Sequence, residues 1–74
     1  MLYCIEEHFN IEDHVRVEKP LLHFRGGEEL TVVEADNIIC FKVLVAREFV
    51  GQVYDFPVEV AEQYLKTGVL EILA

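Results

Sequence analysis

The sequence predicts a mainly β domain, a small antiparallel barrel of five to six strands with one short helix before the last strand. Three observations lead there. Residues 38–45 are a run rich in β-branched and aromatic side chains, interrupted by a single charge at Lys42. Short runs of the same kind are separated by Gly, Asn and Asp clusters with no helical pattern between them, which implies antiparallel pairing. Helical spacing appears once only, after Pro57.

Residues 2–9 mix apolar and charged side chains and read as a first strand with Glu6, Glu7 and His8 at its wet end. The turn formers Asn10, Glu12 and Asp13 follow. Residues 14–18 then alternate with period two, as a half-buried strand does. Pro20 cannot donate to a ladder and marks an edge or bend, so the strand expected beyond it covers residues 22–24. Gly26 and Gly27 make the next turn into a strand over 30–33, and Asp36-Asn37 ends that strand. Residues 38–45 are then the central strand. Phe49-Val50 and Gln52-Val53-Tyr54 are expected to pair across Gly51.

At Pro57 the fixed φ suits a helix start and keeps Phe56 extended. The helix is expected over 57–67, with Glu59 and Glu62 near its positive end, Lys66 near its negative end and Gly68 as a left-handed cap. Val60, Ala61, Tyr64 and Leu65 make one apolar stripe, with Ala61 and Leu65 facing the core. Residues 69–73 close the domain as a last strand.

The 74 residues are 53% hydrophobic, which suits one folded domain over residues 1–74. No apolar run approaches the length that crosses a bilayer, and the first residues lack a signal-peptide pattern, so a cytoplasmic location is expected. Cys4 and Cys40 stand in apolar stretches far apart, as reduced core thiols. Fourteen acidic residues against six basic ones give −8, of which residues 1–37 carry −6. Such a surface repels nucleic acid and anionic lipid, so neither is an expected partner.

Gly27-Glu28-Glu29-Leu30-Thr31-Val32-Val33-Glu34-Ala35-Asp36 resembles the G-D-E-L-x-V-x-x-x-D passage of SH3 domains. The family's tryptophan and its Ala-Leu-Tyr-Asp-Tyr platform are absent, so the resemblance implies an SH3-like barrel without polyproline recognition. Over residues 56–72, Phe56-Pro57 followed by Ala61, Leu65, Gly68 and Glu71 is similar to the end of small phage and prophage structural proteins. Together these resemblances imply a non-enzymatic small barrel of phage type.

Chemistry-bearing groups do not assemble in the sequence. Cys4, His8, His14, His23 and Cys40 lack the tight ligand pairs of a zinc site, so no metal or other cofactor is expected. The doublets Glu6-Glu7, Glu12-Asp13 and Glu28-Glu29 place neighbouring carboxylates on opposite faces of extended chain. There is no serine, Thr31 and Thr67 are the only threonines, and neither cysteine has an electropositive setting beyond Lys42. An enzyme is therefore not expected. Of the aromatic residues in the second half, Phe41 is assigned to the core, while Phe49, Tyr54, Phe56 and Tyr64 are the candidate protein-binding residues. The expected function is binding of a protein partner or of further copies of the chain as a homo-oligomer. The alternative is an acidic inhibitor that imitates nucleic acid.

Overall fold

In a computed structural model, which describes residues 8–73, the chain forms a five-stranded antiparallel sheet and one helix. The elements are β1 (His14–Val17), β2 (Glu29–Ala35), β3 (Ile38–Val45), β4 (Val53–Pro57), α1 (Val58–Lys66) and β5 (Leu70–Leu73). Their order across the sheet is β4-β3-β2-β1-β5. The mainly β class holds, and so does the helix before the last strand.

The period-two pattern decides which face is wet. Val15 and Val17 of β1, Leu30 and Val32 of β2, and Ile39, Phe41 and Val43 of β3 point to one side and are buried. Phe9, Phe24, Ala61 and Leu70 complete that core. At roughly 1.5–3 kcal/mol for each large side chain withdrawn from water, this single layer supplies most of the driving force for folding. A bulge between Val32 and Glu34 leaves Val33 outside the pairing and exposed, so β2 regains its alternation beyond it.

The helix ends as Gly68 predicts. Gly68 has φ 80°, its N–H donates to the Leu65 carbonyl at 3.2 Å, and the Val69 N–H donates to that of Tyr64 at 2.9 Å. This pair of bonds is the Schellman arrangement. Lys19 adds a bond from Nζ to the Thr67 carbonyl at 2.9 Å. At the other end Pro57 is the last residue of β4 and the N-cap, one step earlier than a first-turn proline, and the Val58 N–H donates to Asn37 O at 2.9 Å. Ala61 is fully buried, whereas Leu65 is half-buried.

Three expectations differ from the structure. The sheet is open: β4 pairs only with β3 and β5 only with β1. The helix α1 packs on β3 and on both edge strands, β4 and β5, so it covers the core from the side where a barrel would cover it with its own strands. Residues 22–24 are not a strand; Leu21 and Phe24 bridge each other around a tight turn, through N–H···O bonds of 3.0 and 2.8 Å. Phe49-Val50 is not a pairing arm, because both lie in the loop that leads to β4. Of the strand expected over residues 2–9, residues 1–7 lie outside the described residues, as does Cys4; Phe9 is buried outside any strand.

Candidate functional site

Two loops meet at one end of the sheet. The first joins β1 to β2 and turns at Leu22 and His23; the second joins β3 to β4 over residues 46–52. Both contain backbone that ordinary residues avoid, Leu22 at φ 54° and Phe49 at φ 67°. A left-handed conformation costs a non-glycine residue about 1–2 kcal/mol, so surrounding contacts must hold it. Those contacts are aromatic. The His23 ring lies 4.4 Å from Phe49, 4.6 Å from Phe24 and 5.4 Å from Tyr54, centroid to centroid. Phe24 meets Tyr54 edge-on at 5.5 Å. The Tyr54 hydroxyl lies within hydrogen-bond distance of Gln52 Oε1, at 3.0 Å, and of His23 Nε2, at 2.9 Å.

The four candidate aromatics therefore divide. Phe49 and Tyr54 join His23 and Phe24 between the loops. Phe56 on β4 and Tyr64 on α1 instead meet each other, in an edge-to-face series that runs Phe9–Phe41 at 5.1 Å, Phe41–Phe56 at 5.9 Å and Phe56–Tyr64 at 5.7 Å. Tyr54 and Phe56 lie on the same face of β4, and Phe56 meets Tyr64 of α1. Tyr54, Phe56 and Tyr64 are all half-buried and pack against the core.

Exposed apolar and charged side chains both surround the aromatic group. Among the described residues ten large hydrophobic side chains are exposed, and five of them, Leu44, Val45, Phe49, Val50 and Val53, fall in the β3–β4 hairpin tip. Leu22, 66% exposed, belongs to the facing loop. A cleft of about 320 Å³ opens between the loops, lined by His23, Phe24, Arg25, Glu28, Ala46, Arg47, Glu48 and Phe49. It adjoins a second, of about 460 Å³, that shares Arg25, Glu28, Ala46 and Arg47.

The electrostatics of this end differ from those of the rest of the surface. Glu28 spends its carboxylate on the chain itself, accepting from the backbone N–H of Arg25 at 2.9 Å and of Gly26 at 2.7 Å. Burial pushes its carboxyl up, and the backbone N–H bonds outweigh that and hold it below the usual range. The doublet neighbour Glu29 points the other way, to His14 Nε2 at 2.6 Å. Arg16 bridges Glu18 at 2.6 Å and Glu71 at 2.9 Å on the far side of the sheet. Arg25 and Arg47 pair with no carboxylate among the described residues.

The remaining soft ligands are dispersed. His8 contacts Glu62 at 2.7 Å, His14 contacts Glu29, and His23 contacts Tyr54. Cys40 is buried on β3 with its thiol pushed up to about 11, by burial first and then by the hydrogen bond and charge of Asp55 and the charge of Glu34. A nucleophile needs the opposite shift. Among the described residues no helix is long and apolar enough to cross a membrane.

Sequence reasoning missed His23, Phe24, Arg25 and Arg47 as site members. Each flanks a turn that the sequence does mark, at Gly26-Gly27 and at Gly51, but nothing in the spacing brings those turns together. In comparisons with known proteins, no family model, no curated protein and no solved structure matches the chain.

Proposed function

We propose that this chain is a non-enzymatic protein-binding module, an open relative of the small SH3-like barrels of phage structural or accessory proteins, and that it binds through the hairpin tip and the facing Leu22 loop. The observation that carries this reading is the exposure of Leu22, Phe49 and Val50 on the two loops that the His23–Phe49–Tyr54 group holds together. Scattered surface hydrophobics are ordinary, whereas a contiguous apolar patch with aromatic members and a polar rim has the anatomy of an interface core. The strained turns at Leu22 and Phe49 support it, because backbone strain persists where a loop is held in a working shape.

The β4 edge favours a different protein over a second copy as the partner. The bonds of Val43 with Gln52 and the register Phe41↔Tyr54 leave Val53, Asp55 and Pro57 to present their backbone outward from β4. Pro57 has no donor, and symmetric pairing at that edge would set Asp55 against its own copy between chains that each carry −8.

Affinity capture from the native host, followed by calorimetric titration of the purified partner at several temperatures, tests the reading. Direct binding that persists at high salt with a negative heat-capacity change supports an apolar interface. A basic nucleic-acid enzyme released by salt would instead establish the acidic mimic, and a concentration-dependent dimer in sedimentation would establish self-assembly.

A further inference from the structure

We infer that the cleft between Arg25 and Arg47 is a carboxylate subsite, and that the partner's contacting segment is an acidic peptide whose Asp or Glu side chain is flanked by apolar residues. The inference rests on the protein-binding reading and names the chemistry of the ligand at that same end of the sheet.

The first support is the placement of two cations. Arg25 and Arg47 come from different loops to line the same two adjoining cavities, and neither makes an ion pair among the described residues. Glu28 lines both cavities too, with its two oxygens bound to the Arg25 and Gly26 N–H groups. Glu28 thus builds the rim of the cleft, and leaves both guanidiniums with donors to offer. Such planar forks match a carboxylate in geometry, and a charge-assisted bond of this kind is about twice as strong as a neutral one.

The second support is the count of charges in the lining. Arg25 and Arg47 stand beside Glu28 and Glu48, so the lining is formally neutral. Such a lining opposes a phosphate dianion more than a monoanionic carboxylate. The aromatic wall of Phe24, His23 and Phe49, with exposed Val45 beside it, provides the apolar contact for residues flanking the acid.

The test is an NMR titration of the full chain with three terminally blocked peptides that differ at one position: Leu-Glu-Phe, Leu-Gln-Phe and Leu-Leu-Phe. Inorganic phosphate is the fourth probe. We expect saturable shifts of the Arg25, Gly26, Gly27 and Arg47 amides with the Glu peptide, roughly tenfold weaker binding of the Gln peptide, and a similar loss for Arg25→Gln and Arg47→Gln. Lys66→Gln, on the helix, should leave the affinity unchanged. Equal binding of Glu and Gln peptides, indifference to both arginine variants, or tighter binding of phosphate would overturn the subsite. Shifts at Leu22 and Phe49 with all three peptides alike would sink the carboxylate inference and leave the protein-binding reading standing. Shifts with none of them would count against both.

Discussion

The imidazole of His23 lies 4.4 Å from the ring of Phe49, although the two residues come from separate loops, each with a non-glycine residue in left-handed backbone. This contact ties the loops together. Replacing His23 with Ala removes the contacts to Phe24, Phe49 and Tyr54 together, so amide hydrogen exchange in residues 46–52 should accelerate while β2 and β3 keep their protection. Unchanged exchange in the loop would mean that the hairpin tip holds its own shape.

Leu22 offers the reverse experiment. Its side chain is exposed and its φ is 54°, so little packing offsets the strain. Relief of about 1–2 kcal/mol in Leu22→Gly exceeds the roughly 0.5–1 kcal/mol of added chain entropy, and chemical denaturation should show a gain of about 0.5–1 kcal/mol. A loss of stability would show that the Leu22 side chain supports the fold.

In the core, Phe41 is fully buried and meets Phe9 and Phe56 edge-on. Phe41→Ala should cost about 3–5 kcal/mol in urea unfolding. For a small domain with total stability at the low end of about 5–15 kcal/mol, that leaves a chain close to unfolded at room temperature. Val60→Ala, on the exposed side of the helix, should change the midpoint little.

The Cys40 thiol gives a pH signature. Its value in the folded protein, about 11, stands above the ordinary 9.0, so between these values the folded chain keeps a proton that the unfolded chain has released. Stability is therefore intact below pH 9 and declines as the pH rises towards 11. Cys40→Ala should flatten that alkaline decline, measured as the denaturation midpoint against pH. An identical decline in the variant would assign it to other groups.

The parts of this architecture that depend on local chemistry were legible in the residues. Pro57 and Gly68 bracket the helix because one fixes φ and the other accepts a positive φ, and the alternation through Ile39, Phe41 and Val43 names the buried face. Barrel closure was not legible, since it depends on where α1 packs, and the amphipathic stripe says only that the helix has a buried side. The site was half legible. Phe49 and Tyr54 stood out as aromatics, but Phe56 and Tyr64 look the same in sequence, and only the fold brings those two against each other and away from the loops. His23 and Arg25 join the site through a left-handed leucine, a conformation that no residue pattern announces.

The central claim is that the hairpin tip and the Leu22 loop form the binding surface, and paired capture tests it most directly. Wild-type chain, Phe49→Ser and Val60→Ser, each shown by circular dichroism to be folded, would serve as baits for the same host extract. Phe49 and Val60 are similarly exposed, 40% and 38%, so a general loss of surface hydrophobicity affects both variants alike. The account predicts one partner that is retained in high salt by wild type and Val60→Ser, and lost by Phe49→Ser. Retention of that partner by Phe49→Ser, at the affinity of the wild type, would contradict it.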